Sequence, residues 1–274
     1  AADQDKSFLW HVKSDTSTVY LLGSIHFFKQ SDYPLAPAIE EAYSKSSDLA
    51  VEVNVAGQNQ MELQKQVIAR GMYTNGETLS DEIDQDSLAM VKTFLQERGL
   101  PPQGFFRFKP GMLAMTLSVM EVMKLGFSPQ HGIDMYFINR SNSAGKPIHE
   151  LETMEDQLDL LFGMPNESLF LKHTMRELDQ MDELMDKVVK IWKSGDAEQL
   201  NKLMVVEPLK KFPEMKENSK KMLDDRNVKM VKKIKAMLQT GKTYFVVVGA
   251  AHMVGKMGIV NLLEKSGKYS IEQK

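Results

Sequence analysis

Two short motifs near opposite ends of the chain carry the residues best suited to chemistry: VYLLGSIH, closing at His26, and YFVVVGAAH, closing at His252. In each, an apolar, β-branched run ends in glycine, two small or apolar residues and histidine. That is the pattern of a buried strand that delivers an imidazole just past its end. Glycine three positions before each histidine lets the backbone turn sharply off the strand toward a shared rim. A third polar group, Glu52, stands near the end of the apolar run Asp48-Leu49-Ala50-Val51-Glu52-Val53, where an ionised carboxylate needs a partner. Two imidazoles and one carboxylate match the donors of a catalytic divalent-metal site with an open water position, although the spacing is long-range and no HExxH signature is present. In the plainer alternative, His26 caps the segment after it and His252 caps a helix beginning near Met253, each bonded to backbone. The repeated context weakens that alternative.

Two further segments offer polar groups to the same rim. Lys146 to Thr153, KPIHELET, reads as a short strand running into a glutamate-rich turn and then a helix, so Glu150 or Glu152 can reach the site. Glu-x-Glu before a helix also serves simply as favourable charge at its positive end. In Asp224-Asp225-Arg226-Asn227, Arg226 sits in an amphipathic helix, with a local acid as an equally good partner.

The elements that must position these groups are strand-rich at the two ends of the chain and helical between. Phe8–Val12 and Thr18–Leu22 read as a hairpin, followed by a helix from about Ala36 to Ser44 and a strand at Leu49–Val53. Further strands are expected at Pro147-Ile148, at Thr243–Val248 and after Gly267. Helical periodicity covers Met61–Arg70, Gln85–Arg98, Leu113–Leu125 and Ile133–Ser141, and helices dominate from Glu155 to Gln239, with breaks at 163–166, 194–196 and 207–213. Strands so far apart in sequence must meet in one sheet. The expected fold is therefore α/β, a central mixed sheet formed by strands from both ends of the chain with a large helical insertion or cap. It is read as one domain over 1–274, with the sheet core at about 8–55, 145–153 and 243–273 and helical stretches at 56–144 and 154–240.

Composition narrows the chemistry. The 274 residues are 42% hydrophobic and 26% charged with a net charge of -3, which gives no electrostatic case for nucleic acid or an anionic membrane. With no cysteine in the chain, a structural disulfide, an iron–sulfur cluster, a thiol nucleophile and a thiolate zinc site are excluded. No run approaches the ~18 consecutive apolar residues of a transmembrane helix. The polar opening Ala-Ala-Asp-Gln-Asp-Lys fits a mature exported chain after signal-peptide removal, and fits a shortened chain equally. Methionine is frequent, at 20 residues, with Met112, Met115, Met120, Met123, Met175, Met181, Met185, Met222, Met230 and Met237 on helices. Flexible core packing explains such residues most simply, and an adaptable groove for a peptide or partner helix is the alternative. The lysines of Lys216 to Lys235 read as a solvated helix face.

Taken together, the motifs resemble the TraB/GumN/Tiki family across nearly the whole chain. They are GSIH at Gly23–His26, VEVN at Val51–Asn54, Lys109-Pro110 opening a helix, GID at Gly132–Asp134, LET at Leu151–Thr153 followed by Gln157, RN at Arg226-Asn227, and GAAH from Gly249 followed by Gly255 and Gly258. The resemblance implies an α/β fold distantly similar to erythromycin esterase and ChaN-like proteins, with the two GxxH motifs and a pair of glutamates at the active centre. Within that family, Tiki members are regarded as metal-dependent proteases that trim an extracellular signalling ligand, and TraB-type members act on or sequester peptide pheromones. Carried onto this chain, it implies His26 and His252 as the GxxH histidines, Glu52 and Glu152 as the glutamates, Asp134 of GID, and Arg226 with Asn227. It favours Glu152 over Glu150. One departure is Gly111, where many relatives place tryptophan after Lys-Pro. Export of related proteins leads to an expected periplasmic or extracellular location.

The expected mechanism has His26, His252 and Glu52 or Glu152 holding a divalent cation of zinc, manganese, cobalt or iron. The remaining glutamate moves the proton of the attacking water to the leaving amine, Arg226 stabilises the oxyanion, and Asn227 fixes its neighbours. A peptide or protein is the expected substrate. The rivals are a non-catalytic peptide-, haem- or metal-binding protein and a hydrolase of esters or other small molecules.

Overall fold

The computed structural model describes residues 6–274. The first five residues, on which the reading of the polar opening mainly rests, lie outside that range. Six strands form one mixed sheet: β1 (Leu9–Lys13), β2 (Thr18–Ser24), β3 (Asp48–Val51), β4 (Ile148–Glu150), β5 (Thr243–Gly249) and β6 (Ser270–Gln273). Their order is β4-β3-β5-β2-β1-β6. The four strands β4, β3, β5 and β2 run parallel, and β1 is antiparallel to both β2 and β6. The expected α/β class, with strands from both ends of the chain in one sheet, is what forms.

The central pair explains why the two GxxH motifs meet. β2 and β5 are parallel and in register from Thr18↔Thr243 to Ser24↔Gly249, so both strands end at the same level and both histidines emerge at one carboxyl edge. Leu21, Leu22, Phe245, Val246, Val247 and Val248 are all buried, the continuous apolar reading of strands covered on both faces. Tyr43 of the Pro37–Lys45 helix and Phe137 of the Ile133–Ala144 helix close on Phe245 with ring centroids 5.5 and 4.7 Å away.

Several boundaries differ from the periodicity. β2 runs two residues further, through Gly23 and Ser24, while β3 stops at Val51, leaving Glu52 just beyond it. The short strand at Pro147-Ile148 is shifted to Ile148–Glu150, because Pro147 has no N–H to give to a ladder. The helix expected from Leu113 starts at Pro110, with proline in its first turn where no N–H is needed. The break expected at 207–213 falls only at its far end, before Pro213. The run from Ala197 continues through a π turn at Lys202–Val206 into Glu207–Lys211 and ends only at Phe212; the wider turn accommodates the proline where a regular α turn would clash. Met175 and Met230 are buried core residues, Met123 is exposed, and the other seven singled-out methionines are half-buried. Core filling thus accounts for only part of the methionine content.

The described residues group into two compact units. One comprises the residues up to Ala56 together with Gly126–Met154 and Leu184–Lys274, and contains the whole sheet; the other comprises Gly57–Leu125 and Glu155–Glu183. The second unit is helical, with a core that includes Leu79, Val91, Leu95, Leu113, Leu117 and Leu171. There Gly111 donates its N–H to Glu167 Oε2 at 3.2 Å, and a Cβ on it would stand 3.0 Å from that same atom. A side chain at this position would require the Glu167 carboxylate to shift aside. A groove of about 890 Å³ in this unit is lined by residues including Tyr73, Glu82, Lys109, Asn166 and Glu167, and none of the expected site residues lines it. No helix among the described residues is long and apolar enough to cross a membrane.

Candidate active site

All seven expected site residues belong to the sheet-containing unit. Three of them, Glu52, His26 and His252, converge on Gly249, the last residue of β5. A Cβ built on it would lie 3.3 Å from Glu52 Oε1, 3.5 Å from His26 Nε2 and 3.5 Å from His252 Cδ2. The glycine leaves open a small cradle onto which a carboxylate oxygen and two imidazole rings converge. Its own N–H donates to Glu52 Oε1 at 2.7 Å, which turns that oxygen toward the gap.

Each side chain around the cradle is held by a partner remote in sequence. Arg226 reaches both glutamates: Nη2 donates to Glu52 Oε2 at 2.6 Å, while Nε and Nη2 engage Glu152 Oε1 and Oε2 at 2.8 and 2.6 Å. This two-pronged grip is the strong form of the ion pair. Its pairing with local acids does not occur; Asp225 takes Lys220 instead. The helix of Arg226 carries a π turn at Lys220–Asp224 just before it, and Arg226 Nη1 donates back to Met222 O at 3.0 Å. Glu150 Oε1 accepts from the Asn54 N–H; Glu152, two residues on, lies past the end of β4 and is the one that joins Arg226.

The two histidines are positioned differently. His252 is buried in a short 3-10 turn, and the next helix begins only at Ile259, so it caps nothing. Asn227 Nδ2 donates to Met257 O at 2.8 Å, which aims Asn227 Oδ1 at His252 Nδ1, 2.6 Å away. Nδ1 therefore carries the ring proton and Nε2 keeps its lone pair, 4.0 Å from Glu52 Oε1. Burial pushes His252 down to about 4 against the pull of Glu52. His26 keeps 55% of its side chain open, with Nδ1 at 3.3 Å from Asp134 Oδ1. The surrounding protein works against its charge, but the carboxylates of Asp134 and Glu52 prevail and raise it to about 9. Asp134 can approach because Gly132 has no side chain, and a Cβ there would collide with His26 O and crowd Asp134 Oδ1. Glu52 resists burial by virtue of His252, His26, Arg226 and the Gly249 N–H, which hold its carboxyl down at about 2.

His252 Nε2, Glu52 Oε1 and, once a cation displaces its proton, His26 Nε2 are donors that suit a divalent cation. Among the described residues no three such side chains form a ready-made metal cage. Two ligand atoms on one tetrahedral zinc lie roughly 3.4 Å apart, so His252 Nε2 and Glu52 Oε1 would have to close by well under an ångström. The donor set fits; the cradle is wider than a closed coordination sphere.

The chain matches the TraB/PrgY/gumN family over residues 8–273 and belongs to it. It is similar to the uncharacterized protein YbaP of Escherichia coli (strain K12), 24% identical over 245 residues that cover 89% of this chain and 87% of that one. It is also similar to a metalloprotease TIKI homolog of Amphimedon queenslandica, 21% identical over an alignment of 318 positions that covers 97% of this chain and 61% of that longer protein. No solved structure matches the chain significantly.

Proposed function

We propose that the protein is a metal-dependent hydrolase of peptide bonds, with His26, His252 and Glu52 as the groups that hold the cation. The observation that carries this reading is the convergence of Glu52 Oε1, His26 Nε2 and the His252 ring on the space left by the missing side chain of Gly249. The relative named as a metalloprotease supports it. When bound, a zinc, manganese, cobalt or iron ion supplies Lewis acidity to the reaction.

The chain's own residues divide the remaining work. Asn227 fixes the His252 tautomer so that Nε2 faces inward, as a group behind a ligand histidine does. Asp134 Oδ1, 3.3 Å from His26 Nδ1, places a carboxylate charge behind that ring. Arg226, paired with both glutamates, ties Glu52 and Glu152 to one guanidinium and fixes their spacing. We assign Glu152 the transfer of the attacking water's proton to the leaving amine. A location in the periplasm or outside the cell is part of the proposal, and cell fractionation checks it.

Elemental mass spectrometry of the purified protein tests the reading, against a variant carrying both His26→Ala and His252→Ala. Near-stoichiometric metal, lost in the variant, together with new peptide fragments by mass analysis, is the expected result. No uptake after incubation with divalent cations and no fragments overturns it. Stoichiometric depletion of free peptide without fragments assigns a binding role instead.

A further inference from the structure

Ser24 ends β2 directly opposite Gly249, the last residue of β5. Residues paired across a parallel ladder project to the same face of the sheet, and neighbouring strands lie about 4.8 Å apart. The Ser24 Cβ therefore stands roughly 5 Å from the point where a Cβ on Gly249 would be, the point that Glu52 Oε1 and His26 Nε2 approach within 3.3 and 3.5 Å. Preceding Ser24 and Gly249 on that face are Leu22 and Val247, both apolar and buried. Ser24 itself is 3% exposed, and its Oγ has no hydrogen-bond partner among the described residues. A hydroxyl so deeply buried is normally bonded, and leaving it unbonded is unfavourable. An apolar residue would fill the position without that cost.

We propose that Ser24 is a further residue of this site, its hydroxyl hydrogen-bonding the water that accompanies a divalent cation in the cradle over Gly249. The proposal rests on the cradle being a cation site. A hydroxyl is both donor and acceptor, so Ser24 can steady that water without adding charge to a space already set by Glu52 and Arg226. It acts by orientation and gives up no proton.

The test is Co²⁺ binding to the full chain by calorimetry and visible absorption, alongside thermal melting without added cation, for wild type, Ser24→Ala and Ser24→Thr. With the orphaned hydroxyl removed, Ser24→Ala is expected to melt at or above the wild-type temperature. Its Co²⁺ affinity should fall about tenfold, with an altered absorption spectrum. Ser24→Thr, which retains the hydroxyl, should stay within about twofold of wild-type affinity. A Ser24→Ala protein that binds Co²⁺ as wild type does, with the same spectrum, overturns the role of Ser24 while leaving the cradle intact. Wild type that takes up no Co²⁺ overturns the cation reading and this inference with it, and is told apart because the failure lies in the unmutated chain.

Discussion

The two ends of β3 are built from the same kinds of residue and do opposite things. At its amino end, Asp48 is 2% exposed and its Oδ1 receives His149 Nε2 at 2.8 Å and Lys242 Nζ at 3.0 Å, while Ser47 Oγ donates to Oδ2 at 2.6 Å. Just beyond its carboxyl end, Glu52 receives Arg226 and the Gly249 N–H. Both sites pair a buried acid with a cation and a histidine. At Asp48 the histidine spends its nitrogen on the acid, and Lys242 comes from solvent, so the cluster is closed. At Glu52, His252 is held from behind by Asn227 and His26 has the Asp134 carboxylate behind it, which leaves His26 Nε2 and an edge of the His252 ring at the space over Gly249. A structural cluster and the proposed site of chemistry differ here in which atoms are left over, rather than in residue type.

Breaking the leftover atoms should have the largest effect. His252→Ala or His26→Ala should lower peptide hydrolysis by on the order of 10²–10⁴-fold with far-ultraviolet circular dichroism unchanged; an undiminished rate in either refutes the assignment. Arg226→Ala should destabilise by about 3–5 kcal/mol, because it strands two buried carboxylates, as read by urea unfolding. If stability holds, the guanidinium is not what compensates the burial of Glu52 and Glu152.

Filling the gap is a gentler probe. Gly249 has φ near -50°, a conformation open to any residue, so Gly249→Ala should cost no backbone strain and shift stability by less than about 1 kcal/mol. Its methyl would occupy the cradle, and Co²⁺ uptake and turnover should fall together; retention of both would place the chemistry elsewhere.

The closed end of β3 gives the smallest effect and the sharpest contrast. The hydrogen bonds from Ser47, His149 and Lys242 overcome burial and hold Asp48 at about 2. A carboxyl depressed in the folded state contributes stability above its ordinary range, near pH 4, and loses it as pH falls through about 2. Asp48→Asn should therefore cost about 1–2 kcal/mol at neutral pH, with the difference from wild type shrinking between pH 4 and pH 2, and leave hydrolysis untouched. A variant impaired in turnover would show that the two ends of β3 are coupled.

Much of this was legible before any coordinates. An apolar run ending in Gly-x-x-His announces a buried strand with an imidazole at its tip, and two such runs in one sheet bring His26 and His252 to one edge. Glu52 stood out as a charge next to an apolar strand. The choice between Glu150 and Glu152 was not readable from spacing, because two residues past a short strand the chain turns, and only the turn decides which side chain faces Arg226. Asp134 and Asn227 entered through family resemblance alone, since a polar residue in the first turn of a helix looks like any other there. Ser24 gave no signal, because serine beside a glycine at a strand end reads as a turn.

What the sequence by itself determined was therefore the set of strands, their apolar faces and the histidines they present. Those follow from local periodicity and from glycine's freedom to turn. Tertiary structure alone decided the pairing: Arg226 meets glutamates 174 and 74 residues away, and His252 is set by an asparagine on another helix. Burial makes such pairs obligatory, because a charge removed from water must find a partner, but which partner it finds depends on where the crossovers of the sheet return the chain.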